Sequence, residues 1–259
     1  MNSTRIEARS ERCIAAAGDV HGAVHALVRG LEAAEERAGR AAELVLQVGD
    51  FEPHRSGGAR FEQPLWFIGG NHEPHRFLEQ MPDGGEAAPG CRYLGRAGAV
   101  EWRGLRIAYL SGIFDPRRYD GERPEPDAPG GAPPQELLCF RRGDVARLDD
   151  LDSADVLLLH DWPSGLERFA DPDLLAGRLE RMGLERAGNP VARELVERLA
   201  PRLVLCGHMH MPCRAELPTR RGREAQVICL DKTERADPVL LVLGDHGEPI
   251  ETESRIEPG

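Results

Sequence analysis

Five short segments, in a fixed order, bring Asp, His and Asn side chains next to glycines. They are Gly18-Asp19-Val20-His21-Gly22, Gly49-Asp50-Phe51-Glu52, Gly69-Gly70-Asn71-His72-Glu73, Leu159-His160-Asp161-Trp162 and Gly207-His208-Met209-His210. Carboxylate oxygen, amide oxygen and imidazole nitrogen together suit divalent cations such as Mn²⁺, Fe²⁺ and Zn²⁺. Two such cations about 3.5–4 Å apart neutralise a phosphate ester, activate a water and hold nucleophile and phosphorus in line. An Asp-x-His alone is a weak signal. Gly-Asn-His-Glu behind an apolar run and Gly-His-x-His later in the same chain make a purely structural explanation of all five segments untenable. The glycines allow the sharp turns and close backbone approach that clustered ligands need.

Apolar runs precede these ligands. Ile14–Ala17, Leu44–Val48, Leu65–Ile68, Val156–Leu159 and Leu203–Cys206 each read as a buried strand. A parallel α/β sheet presents ligands at the carboxyl ends of its strands, so five strand ends would converge on one site. Between them, Val24, Leu27, Val28, Leu31 and Ala34 recur at helical spacing, with Gly39 as the stop. A short helix is expected over Pro74–Met81. Val100–Leu110 reads as two strands joined at Gly104, and further helices are expected over Arg141–Asp150, Asp173–Met182 and Pro190–Leu199. Ala225–Leu230 and Val239–Leu243 complete the strands. Asp115–Pro134 is rich in Pro and Gly and lacks periodicity. Loops of that length are usually functional or disordered. One domain is expected over residues 1–246, with a loop insertion at about 115–140 and a frayed tail at 247–259.

The 259-residue chain carries a formal net charge of −11, which argues against a broad basic nucleic-acid surface. No apolar stretch approaches the roughly 20 residues of a membrane span, and Met1–Arg12 lacks the apolar core of a secretory signal. The expectation is a cytoplasmic protein without a membrane or protein partner. Six scattered cysteines form no C-x-x-C pair and read as buried thiols rather than a disulfide framework.

The five segments resemble the calcineurin-like metallophosphoesterases. The resemblance implies a four-layer α/β/β/α sandwich and two divalent cations. Asp19, His21, Asp50 and His210 would bind one ion. Asp50, Asn71, His160 and His208 would bind the other, with Asp50 as the bridge. His72 would protonate the leaving oxygen, a role suited to a residue type that titrates near neutrality. More specific segments are similar to the RNA lariat debranching enzymes: Phe67–Glu73, Ala88–Gly95, Arg103–Ile107, Leu110–Phe114, His160–Pro163 and Leu230–Lys232. That similarity spans roughly residues 13–243 and implies hydrolysis of 2′,5′-phosphodiester bonds in branched RNA, with residues 115–142 helping to recognise the substrate. Those enzymes typically carry Cys where this chain has Asp19.

Glu73, His54, Arg117, Arg118 and Trp162 are further candidates for substrate contact. Glu73 could equally orient His72 or cap the following helix. Arg117 and Arg118 could grip phosphate or, with mixed charges nearby, stand as solvated arginines, and Trp162 could stack a base or wall the site. The reading is a metal-dependent phosphodiesterase of the debranching type. Its rivals are a bacterial-type metallophosphoesterase for another nucleotide or small phosphoester, and a non-catalytic scaffold. A scaffold would be expected to have lost a ligand or His72, and every position is filled.

Overall fold

Two mixed sheets pack face to face with helices outside them, in a computed structural model that describes residues 11–55, 61–124, 134–183 and 187–253. In chain order the elements are β1 (Arg12–Ala17), α1 (Val24–Ala38), β2 (Leu44–Gln47), β3 (Leu65–Phe67), α2 (His75–Leu78), β4 (Gly85–Ala88), β5 (Cys91–Tyr93), β6 (Ala97–Trp102) and β7 (Leu105–Leu110). They continue as α3 (Pro134–Leu137), α4 (Arg142–Ala146), β8 (Val156–Leu159), α5 (Pro172–Met182), α6 (Pro190–Leu199), β9 (Leu203–Cys206), β10 (Cys213–Pro218), β11 (Glu224–Cys229), β12 (Val239–Leu243) and β13 (Pro249–Glu253). The first sheet has the order β13-β12-β1-β2-β3-β5-β4 and the second β10-β11-β9-β8-β7-β6. β1, β2 and β3 run parallel in the first, as do β7, β8 and β9 in the second.

Strand alternation explains the layers. In β1, Ile14 and Ala16 face the second sheet while Cys13, Ala15 and Ala17 face α1. In β8 and β9, Val156, Leu158, Leu203 and Leu205 join the inter-sheet core, and Leu157, Leu159, Val204 and Cys206 pack outward with α6. Strands apolar on both faces read as continuous hydrophobic runs, which is why they were legible. Each fully buried Leu or Ile contributes about 1.5–3 kcal/mol.

Helix α1 lays Val24, Leu27, Leu31 and Ala34 on the first sheet and ends at Gly39, whose φ of 65° is the left-handed cap. Asp171 and Asn189 cap α5 and α6 by accepting from backbone N–H groups, each followed by Pro at the first helical position. α2 covers four residues rather than the expected Pro74–Met81. The hairpin β4–β5 and strand β10 were not anticipated. Within residues 247–259, expected to fray, Pro249–Glu253 pairs antiparallel with β12. In the insertion, Asp115–Pro124 makes turns tied back to the body, while residues 125–133 lie outside the described residues. All six cysteines are free, and five are buried. Among the described residues no helix is long and apolar enough to cross a membrane.

Candidate metal centre

The turns behind β1, β2 and β3 meet the turns behind β8 and β9 at one end of the sandwich. Backbone hydrogen bonds knit them. Asp50 O accepts from Val20 N at 3.0 Å and His21 N at 2.7 Å, and His160 O accepts from Gly207 N at 3.0 Å. Buried Gln47, polar in an otherwise apolar strand, donates to Gly18 O at 2.9 Å and accepts from Gly49 N at 3.0 Å. Space is tight. A Cβ on Gly49 would stand 2.5 Å from His160 Nδ1, and one on Gly70 would stand 2.5 Å from Asp50 N. His21, Asp50, Glu52, His208 and His210 all adopt positive φ, from 48° to 65°. This region is costly for non-glycine residues and concentrates at functional sites.

The donor atoms fall into two groups. Asp19, His21, Asp50 and His210 offer ligand atoms all within 4.8 Å of one another. His21 Nε2 lies 3.4 Å from His210 Nε2 and 3.7 Å from Asp50 Oδ2, and His210 Nε2 lies 3.4 Å from Asp19 Oδ2. In the second group, His160 Nε2 lies 3.0 Å from Asn71 Oδ1 and 3.6 Å from Asp50 Oδ1, and the His160 and His208 rings are 4.9 Å apart. Asp50 therefore turns one oxygen to each group.

These residues fit divalent cations on electrostatic grounds. Burial, only partly offset by His160, pushes Asp19 up to about 7. Burial opposes ionisation of Asp50 too, yet His160 and the His72 N–H hold it below the usual range. Against its own burial, His160 is raised by Asp50 and Asp19. With His160 Nδ1 committed to Val48 O at 2.8 Å, the proton drawn in sits at Nε2, between Asn71 and Asp50. A pocket that pulls positive charge onto a fully buried imidazole will accept a cation in its place. Burial depresses His208 to about 4, leaving the neutral ring a ligand requires.

His72 is exposed. Its backbone N–H donates to Asp50 Oδ1 at 2.7 Å, and its ring is 5.2 Å from that of His21. Glu73 takes neither of its anticipated roles. Its carboxylate turns back to accept from Phe51 N at 2.8 Å and Glu52 N at 3.1 Å, clamping the Asp50 turn, while Pro74 occupies the cap of α2. Burial pushes Glu73 up to about 8. Trp162 is 1% exposed within the outer core of the second sheet, so its ring has no free face for a base. Arg117 forks onto Asp115, and Arg118 pairs with Asp115 and Glu136. His54 is exposed in the one-turn helix Pro53–Arg55.

Three residues escaped the sequence reading. Gln47 could have been suspected from its polarity within a buried run. Asp161 follows His160 directly. Its Oδ1 lies 3.6 Å from His208 Nε2, and its Oδ2 accepts from Phe114 N at 2.8 Å and Asn189 Nδ2 at 3.2 Å. Arg178, on α5, donates to His210 Nδ1 at 2.7 Å; nothing in its local sequence marks it.

Comparison with known proteins accords with this geometry. A family model described as calcineurin-like phosphoesterase matches residues 14–212. The lariat debranching enzyme of Caenorhabditis briggsae is 29% identical over 261 residues, covering 85% of this chain and 51% of that protein. That of Homo sapiens is 30% identical over 254 residues, covering 85% and 47%. The chain thus spans about half the length of the curated relatives it matches. Among solved structures, TT1561 of Thermus thermophilus shares the fold, with a TM-score of 0.54 at 16% identity over 95% of this chain and 99% of that one.

Proposed function

The chain belongs to the calcineurin-like phosphoesterase family, a family of metal-binding hydrolases, and from that premise we propose a two-cation phosphodiesterase of the lariat-debranching type. The observation that carries the reading is Asp50. Its Oδ2 faces His21 and its Oδ1 faces His160, the arrangement a carboxylate needs to serve two ions. Asp19, His21 and His210 complete one set of ligands, and Asn71, His160 and His208 the other. Divalent cations bound there would supply charge stabilisation to the phosphate and a nucleophile at neutral pH. Mn²⁺ is favoured over softer ions because Asp19 offers a hard carboxylate; Fe²⁺ or Zn²⁺ would be the alternatives.

The chain's own groups do the rest. Asp50 Oδ1 fixes the His72 backbone while its ring remains exposed beside His21, so His72 is free to hand a proton to the leaving oxygen. Glu73 and Gln47 keep the two Gly-Asp turns in register. His160, tethered at Nδ1, can present only Nε2. The named relatives make a 2′,5′-phosphodiester the first substrate to test.

A second reading, a smaller nucleotide or phosphoester substrate, is favoured by one observation. Arg117, Arg118, Arg141 and Arg142 of the insertion are all paired with carboxylates, which leaves few open cations for an RNA backbone. The deciding experiment compares a 2′,5′-branched oligonucleotide, its linear 3′,5′ isomer, a cyclic nucleotide and an aryl phosphodiester under equal Mn²⁺ loading. Preference for the branched substrate over its linear isomer is expected. Equal or faster turnover of the cyclic nucleotide would replace the debranching reading with the second.

A further inference from the structure

The arginine on α5 occupies an unusual position. Arg178 Nη2 donates to His210 Nδ1 at 2.7 Å and lies 3.4 Å from His208 O. Its Nε is buried without a hydrogen-bond partner, and among the described residues it makes no ion pair within 4 Å. The insertion's arginines are all spent on carboxylates; this one is spent on an imidazole. Its charged neighbours include Arg181 and Arg235 as well as Asp19 and Asp231, and Lys232, the only lysine in the chain, lies near His210 and His21. Asp50 and Glu52 also act on His21, so this side of the site holds cations and carboxylates together.

The contact with His210 conflicts with the use of that residue as a ligand. Arginine can only donate, so His210 Nδ1 must accept, and the neutral ring then carries its hydrogen at Nε2. Yet Nε2 is the atom grouped with His21 and Asp19. For Nε2 to offer a lone pair, the hydrogen must move to Nδ1, and two donors would then face each other. Arg178 and a cation on His210 therefore exclude one another. Once released, the guanidinium has an unspent fork next to His208 and His210, and phosphate is the anion that fork matches best.

We propose that Arg178 is a phosphate-binding residue of this site, parked on His210 Nδ1 until that imidazole is engaged by a cation and then turned onto a non-bridging oxygen of the substrate phosphate. The assignment rests on the phosphoesterase reading and adds to it a named substrate contact. It also predicts an asymmetry that a supporting residue would not show, because removing Arg178 frees His210 for the cation while weakening the anion.

The test uses the full chain and its Arg178→Ala and Arg178→Lys variants. Calorimetry measures Mn²⁺ affinity, and then the affinity of the Mn²⁺-saturated protein for inorganic phosphate. Arg178→Ala should bind Mn²⁺ as tightly as wild type or tighter. Its phosphate affinity should fall about 10- to 100-fold, the worth of a charge-assisted hydrogen bond. Arg178→Lys, which keeps the charge and loses the fork, should lie between. The KM for an aryl phosphodiester should rise in parallel. Unchanged phosphate affinity at saturating Mn²⁺ overturns the assignment, whatever the metal affinity does. If Mn²⁺-loaded wild type binds phosphate in this arginine-dependent way yet hydrolyses none of the four diesters above, the hydrolase reading falls and the Arg178 assignment stands.

Discussion

Asp19 and Asp115 lie on two parts of the molecule joined through Asp161, and their carboxyls are pushed in opposite directions. Asp19, in the metal centre, is raised to about 7 by burial. Asp115, at the root of the insertion, is lowered to about 2, chiefly by hydrogen bonds from Arg117. The difference is one of provision. In the insertion each of these carboxylates is matched by an arginine: Asp115 with Arg117 and Arg118, Glu136 with Arg118 and Arg141, and Asp120 with Arg142. In the centre, two carboxylates and an amide oxygen converge on four imidazoles, of which burial lowers His21, His208 and His210 and only His160 is raised. One region has closed its own charge balance. The other is arranged so that the balance closes only when a cation arrives.

The contrast is broken most directly at Asp50. Asp50→Ala removes the oxygen donor common to both groups and should reduce phosphodiester hydrolysis to background, with metal content falling below one ion per chain by elemental analysis of protein purified without chelator. A variant that keeps two ions would refute the shared role. His72→Ala should come next, losing about 10²- to 10⁴-fold in kcat while retaining both ions and its melting temperature. The loss should shrink for an aryl ester, whose leaving group needs less protonation. A variant that loses metal in step with activity would make His72 a support instead.

Asp161→Asn probes the seam between the regions. Groups that orient metal-ligating histidines typically control affinity by about 10- to 100-fold. A loss of that size in Mn²⁺ affinity is expected, with a larger share in the ion nearer His208.

Asp19 makes the contrast visible as a function of pH. Its folded-state value is raised from 3.8 to about 7, so its contribution to the stability of chelated protein is fully present below about 4 and is lost as pH rises through about 7. Melting temperatures of chelated wild type and Asp19→Asn should therefore diverge across that window, wild type losing more, and added Mn²⁺ should restore the loss increasingly at higher pH. Parallel curves would show that Asp19 does not titrate there. The smallest effect is expected at Arg117, which is exposed and paired with Asp115. Arg117→Ala should leave turnover of an aryl diester within about twofold of wild type. A larger fall confined to branched RNA would show that the ion pair opens for that substrate.

What could be read from the sequence was local. Ligands next to glycine at the ends of apolar runs are a pattern of adjacent residues, so the five strand ends and their side chains were legible before any tertiary contact was known. Long-range pairing was not. Glu73 reaches back to Phe51 and Glu52 across about twenty positions, and no spacing encodes that. Trp162 stands two residues beyond His160, but the sequence does not say which way the chain leaves β8, and it leaves toward the core. The hairpin β4–β5 is too short to develop a period, and β13 is a strand only because β12 provides a partner.

The position of β12 has a consequence for how the molecule is made. β1 is flanked by β2 on one side and by β12 on the other, and β12 ends at Leu243. During synthesis, at about 5–20 residues per second, the nascent chain exposes one edge of β1 until Val239–Leu243 has emerged. All six β1 residues are buried in the finished protein, and an apolar edge with unpaired N–H and C=O groups is a template for pairing with other chains. His208 and His210 are also translated late, so Asp19, His21, Asp50 and Asn71 must wait for them as β1 waits for its neighbour. Refolding yield should accordingly depend on protein concentration, and chains cut before Val239 should associate through β1 rather than remain as soluble half-domains.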